Sequence, residues 1–343
     1  MRSTATPPAC NKEQGAIIII ILLVLVILSF LAMELSKETL IDHTSSAVVK
    51  SSIAGNALCD SGRLLAKEIL ITDLKESSGD YNFEAWGSFD SELKEISKEL
   101  VSGSLSGEIT DENALFPINK LALLDQNTKQ QTEQYQAIFL RMLKTLCTDL
   151  DITSGTPEDL MTSIRIWQGE ELARASEDDT WYLAQETAYT RTKKPFRSPS
   201  EILLLYWPNA QKGDLEKLYY GTDAIKGLRD LITVWGRGPI NMNTACDALV
   251  YATPSSDEHE EEFLAQTTAY RNDPANNFET AWYLNTAKLC GIQEKDIPNE
   301  ILSFKTNTFR VNLTAQIGSA HKREVIILRR TIKKITLLGS YGE

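Results

Sequence analysis

Eighteen residues, Ala16 to Met33 (AIIIIILLVLVILSFLAM), carry no charge and follow directly on a polar leader, MRSTATPPACNKEQG, that ends in Gly15. As a helix rising about 1.5 Å per residue they span roughly 27 Å, enough to cross a hydrocarbon core. The run therefore predicts a membrane-spanning helix close to the N-terminus. A secretory signal destined for removal would have a shorter apolar region and a small-residue site such as A-x-A after it. Here MELSKETLIDHTSS follows instead. An ordinary anchor gives no reason for a glycine set directly against the apolar run.

No proline occurs between Pro8 and Pro117, and apolar residues continue at helical spacing through Leu35, Leu40, Ile41, Val48, Val49, Ile53, Leu58, Leu64, Leu65 and Ile69. This predicts one continuous helix from Ala16 to about Leu74, half in the membrane (16–33) and half a spine beyond it (34–75). The alternative is a membrane helix followed by a separate amphipathic one, because Gly55 and Gly62 each weaken a helix by about 1 kcal/mol relative to alanine. Over 76–120, short alternating runs broken by Gly, Asn, Asp and Pro predict strands joined by tight turns. From Thr128 to Asp230 the period turns helical, as in QAIFLRMLKTLCTDL and DLMTSIRIWQGEEL. Near the end, Phe309–Ile317 and Glu324–Thr331 alternate around a Gly-Ser-Ala turn and predict an antiparallel hairpin. The fold class expected is α+β, with a large helical insertion between strands.

At 343 residues and 42% hydrophobic composition the chain can bury more than one core. A net charge of −12 opposes binding to nucleic acid, whose phosphates are met by Lys and Arg. The five cysteines form no CxxC, and the three histidines, His43, His259 and His321, are scattered. HExxH, GxSxG, Walker A and GxGxxG are all missing, so no enzyme is expected. In PINMNTACDAL, Thr244 is a candidate helix N-cap, with Asp247 favourable in the first turn.

The leader junction resembles the processing site of type IV pilins and of the pseudopilins of type II secretion. That likeness implies cleavage by a prepilin peptidase between Gly15 and Ala16 and N-methylation of Ala16. Most such chains carry glutamate at the fifth mature position; Ile20 stands there instead. Together with GEITDENALFPINKL, PFRSPSEILLL, PINMNTA and the final strands, this resembles the general secretion pathway protein K (GspK) family. Ala16 departs from the phenylalanine of many pilins, and WPNA (Trp207–Ala210) from a proline-glycine turn common in helix-hairpin-helix relatives.

The resemblance implies a type IV pilin-like fold: leader 1–15, helix 16–75, pilin-like strands 76–120, SAM-like helical domains at 121–235 and 236–304, and closing strands and tail at 305–343. It also implies a single-pass inner-membrane protein with its C-terminal domain in the periplasm. There it would act as a minor pseudopilin at the pseudopilus tip, initiating or capping assembly. The implied partners are GspI-like and GspJ-like minor pseudopilins, the major pseudopilin and the prepilin peptidase, with no nucleic acid. A membrane-anchored minor pilin or receptor for DNA or substrate is the alternative, although TPSSDEHEEEF, the stretch that would meet phosphate, is acidic and lacks glycine.

In that compartment Cys246 and Cys290 are candidates for a disulfide, with two separately buried thiols as the alternative. No cofactor is expected. Members of the family bind calcium, and Glu177, Asp178 and Asp179 are candidates for a structural Ca2+, against the default of a solvated acidic face; EF-hand spacing is missing.

Overall fold

A computed structural model describes residues 12–100, 103–255, 258–332 and 334–342. The leader up to residue 11, Cys10 included, and Ser256 and Asp257 of the acidic stretch lie outside the described residues.

The helix α1 (Lys12–Glu76) runs unbroken for 65 residues, about 98 Å. The two-helix alternative is thereby set aside. All large apolar side chains from Ile17 to Ile53 are exposed, whereas Cys59, Ala66, Ile69 and Leu70 are buried along one face. Gly62 sits where that face comes closest to the sheet: a Cβ there would lie 2.9 Å from Leu313 Cδ2 and 3.1 Å from Leu105 Cδ2. Close packing offsets the helix penalty of this glycine.

A short helix, α2 (Phe89–Lys98), comes next and corrects the expectation of strands throughout 76–120. Phe89 and Leu93 are buried one turn apart beneath the following strand, β1 (Ser104–Asp111). Ser97 Oγ donates to Leu105 O and accepts from Leu105 N–H, both at 2.9 Å, and Asp90 accepts from Gly107 N–H. A two-residue strand, β2 (Phe116–Pro117), then leads into the insertion. Its elements are α3 (Lys129–Asp149), α4 (Pro157–Trp167), α5 (Ala175–Leu183), α6 (Asp214–Tyr220), α7 (Leu228–Leu231), β3 (Ile232–Thr233), β4 (Ile240–Asn241), α8 (Asp247–Ala252), α9 (Glu260–Arg271), α10 (Trp282–Leu289) and β5 (Leu302–Ser303). The chain returns through β6 (Thr308–Ile317), β7 (Ala320–Arg330) and β8 (Ile335–Gly342).

The expected hairpin is present as β6–β7, and β8, which the spacing did not single out, extends the sheet. Its order is β1-β6-β7-β8, antiparallel throughout. Ile109 faces Val311, which faces Ile326, so one apolar side of the sheet packs on α1 and α2. The hydrogen-bonded neighbours β1 and β6 are separated in sequence by residues 112–307. That whole segment is an insertion with its own core, built on Phe139, Trp167, Tyr182, Phe263 and Trp282. The parallel pairs β2·β3 and β4·β5 lie at its root.

Candidate functional site

Two features carry the functional argument: the free length of α1, and the joint where the insertion meets the pilin-like body. Gly15 and Ala16 lie within α1. Ile20 is 59% exposed, one of a series of exposed apolar residues that runs to Met33 and is interrupted only by Ser29. This is the one helix among the described residues long and apolar enough to cross a membrane. No apolar core covers it, so lipid or neighbouring helices are its natural surroundings.

The joint is polar, buried and densely bonded. Asn241, at the end of β4, donates through Nδ2 to Asp80 O (3.0 Å), Asp111 Oδ2 (2.8 Å) and Thr306 Oγ1 (2.9 Å). Asn243 donates to Asp80 O (3.1 Å), Phe278 O (2.9 Å) and Phe304 O (3.2 Å), and its Oδ1 accepts from Trp282 Nε1 at 2.6 Å. The two asparagines of the NxN motif therefore tie together the loop after α1, the end of β1, the α9–α10 connection and the segment leading into β6. Arg271 of α9 locks the same turn by donating to Met242 O and Ala245 O. Burial pulls its guanidinium down to about 10. Glu112 accepts from Arg310 at 2.5 Å and from Thr233. Arg330 of β7 pairs with Asp73 at 2.6 Å and with Asp80, all three residues being buried.

Asp111 is enclosed, and burial raises it to about 6 despite hydrogen bonds from Thr244, Thr306, Asn241 and the Asn113 N–H. Thr244 is thus bound to Asp111 rather than capping a helix. Cys246 occupies the N-cap position of α8, and Asp247 is in its first turn as expected. Beside the joint, a cleft of about 1020 Å³ opens between sheet and insertion, with Tyr81, Phe83, Phe278, Lys226, Arg229 and Arg310 among its lining.

The calcium expectation meets a different arrangement. Asp178 pairs with Arg174 at 2.9 Å, Asp179 with Arg191 at 2.7 Å, and Glu177 accepts from the Tyr206 hydroxyl at 3.4 Å. The three carboxylates are consecutive on a helix, so they diverge, and each already has its own partner. Cys246 and Cys290 are free thiols, which takes the second alternative: Cys246 heads α8 while Cys290 ends α10, each packed in its own part of the insertion core. Burial raises both thiols. The three histidines do not converge: His43 is on the exposed half of α1, His259 starts α9, and His321 lies at the tip of β7.

The tightest carboxylate group among the described residues, Asp73, Asp80 and Glu84, was not apparent from the sequence. Arg330, its counter-charge, is some 250 positions away.

Comparison with known proteins bears on these features. Residues 114–218 match the family described as type II secretion system (T2SS), protein K. No curated protein matches the chain. A chain in the crystal structure of the GspK-GspI-GspJ complex from the enterotoxigenic Escherichia coli type 2 secretion system superposes with a TM-score of 0.64 at 17% identity. The match covers 87% of this protein and 99% of that chain, so the fold is shared across body and insertion alike. Residues 114–218 thus resemble a domain of protein K of the type II secretion system, carried on a framework whose fold is that of the matched chain.

Proposed function

We propose that the protein is a minor pseudopilin that sits at the tip of a periplasmic pseudopilus, anchored in the bacterial inner membrane by α1, and primes assembly there. The observation that carries this reading is the insertion of 112–307 between two neighbouring strands. It gives the pilin-like body a bulky extra domain on the side away from the free half of α1. A subunit with such a domain leaves no room for another above it. The role is one of shape and interface and needs no catalytic group.

Ile20 supports the same position. A carboxylate in the bilayer costs at least about 2.5 kcal/mol on insertion scales unless a neighbour pairs with it. A tip subunit has neighbours on one side only, so isoleucine is the less costly residue. The partners proposed are two further minor pseudopilins, as in the complex that contains the matched chain. The receptor alternative gains nothing from the joint or from α9, which opens with Glu260, Glu261 and Glu262.

Processing and assembly test the reading together. Mass spectrometry of the membrane-extracted protein should show a chain starting at methylated Ala16; an intact Met1 or Arg2 terminus refutes it. Co-expressed with GspI-like and GspJ-like minor pseudopilins, the full chain should purify from detergent as a discrete heterotrimer. Homopolymers, or regular placement along the filament shaft in electron micrographs, would overturn the tip position.

A further inference from the structure

The end of α1 and the loop after it bring three buried carboxyl groups together. Asp73, Asp80 and Glu84 are 5%, 3% and 9% exposed, and carboxyl oxygens of the three lie within 4.8 Å of one another. Arg330 serves two of them, pairing with Asp73 and Asp80. Three carboxylates and one guanidinium would leave two negative charges uncompensated away from water, and such sites are relieved by taking up a proton.

The hydrogen bonds say which group takes it. Asp80 is satisfied as an anion, receiving Arg330 on one oxygen and Thr306 N–H on the other at 2.7 Å. Glu84 Oε2 accepts from Tyr81 N–H (3.0 Å) and Trp86 Nε1–H (2.8 Å). Its other oxygen, Oε1, is shut off from solvent and receives no donor. A carboxyl oxygen of Asp73 lies within 4.8 Å of one of Glu84. A proton would relieve the repulsion between them, and Oε1, the Glu84 oxygen left without a donor, is free to carry it.

We infer that Glu84 is a proton-operated latch: as the neutral acid it ties Asp73 on the spine to the 80–86 loop, and losing the proton releases that loop. Against the Ser77 hydroxyl, the Tyr81 N–H and the Trp86 indole, which favour an anion, stand burial and the neighbouring carboxylates. Asp73 faces it from α1, Ser77, Asp80 and Tyr81 from the loop, and Glu279 from the insertion lies by Tyr81 and accepts from Ser78. Arg330, from β7, is already shared between the two aspartates. Burial pushes Glu84 up to about 7 from 4.5. Because the closed-state value is the higher one, the latch holds at low pH and weakens as pH rises through about 7. The effect reaches the insertion, since Asp80 O is the acceptor for both Asn241 and Asn243.

The test is hydrogen–deuterium exchange of the full chain in detergent micelles, followed in peptides covering 73–88 and corrected for the intrinsic pH dependence of exchange. Between pH about 5.5 and about 8.5 opening of this segment should increase about thirtyfold, the factor for a group that titrates near 7 closed and 4.5 open. In Glu84→Gln, whose amide stands in for the neutral acid, protection should persist at the higher pH. An infrared band of a protonated carboxylic acid, lost with a midpoint near 7 in the unmutated protein, gives the same information without a variant. Equal protection at both pH values, or a glutamine variant that opens with the same pH dependence as the parent, overturns the latch. So does restoration of protection by calcium chloride at high pH in the parent alone, since a cation would then be doing what the proton is assigned.

Discussion

Asn243 is the residue on which the attachment of the insertion should be most sensitive, and two substitutions separate the reasons. In Asn243→Ala, Asp80 O keeps its bond from Asn241 and Phe304 O keeps Asp80 N–H, so neither is orphaned. The Trp282 indole N–H and Phe278 O lose the partner the asparagine gave them, inside a residue shell that is 2–3% exposed. At about 1–3 kcal/mol for each of the two buried groups left unpaired, the loss should be about 2–6 kcal/mol. Asn243→Asp keeps the shape and still accepts from Trp282, but it sets a carboxylate against three carbonyl oxygens. The aspartate variant should therefore be less stable than the alanine variant, the reverse of what size alone predicts. Urea unfolding in micelles followed by tryptophan fluorescence, with limited trypsin digestion to show whether cleavage begins at the joint, measures the order. An aspartate variant as stable as the parent, or an alanine variant within about 0.5 kcal/mol of it, would refute the reasoning.

Arg330→Met should cost about 3–5 kcal/mol by leaving Asp73 and Asp80 buried without their counter-charge, and adding Asp80→Asn should recover part of it in the same unfolding assay. Asp111, raised to about 6 from 3.8, should contribute up to about 3 kcal/mol that is present below pH about 4 and lost as pH rises to about 6. Asp111→Asn should remove that part of the pH dependence even if it lowers stability overall; an unchanged pH profile would exclude the assignment. Titrating thiols in the unfolded, unreduced protein should find Cys59, Cys147, Cys246 and Cys290 all reactive, and two fewer would restore the disulfide.

The long helix was legible because an uncharged run and a proline-free heptad-like spacing act locally, and the β6–β7 hairpin because two-residue alternation does too. Helix α2 was also within reach: Phe89, Leu93 and Ile96 recur at helical spacing, but the glycines and asparagine just before them drew the reading towards turns. Strand β8 is mostly exposed and lacks clean alternation, so only pairing with β7 defines it. At the joint, the NxN motif could be noticed but not interpreted. Its partners Asp80, Asp111, Phe278 and Thr306 are scattered along the chain, and nothing local in sequence says that they meet. Thr244 shows the limit plainly, since a residue that looks like a cap was taken by a carboxylate 133 positions earlier. The group of Asp73, Asp80, Glu84 and Arg330 was hidden for the same reason.

The insertion also sets an order of events during synthesis. Strand β1 is synthesised long before β6, its pairing partner, and closing so large a loop as free chain would cost about 5 kcal/mol. If the insertion folds first, its root brings the two ends together, for β4 and β5 are already paired beside them. The sheet is then the last part to close, after β6, β7 and β8 have emerged. Until that moment Cys59, Ala66 and Leu70 on the spine face water with nothing to cover them. A chain stalled before its final strands would thus carry a finished head and an open body, the state in which a chaperone or protease would meet it.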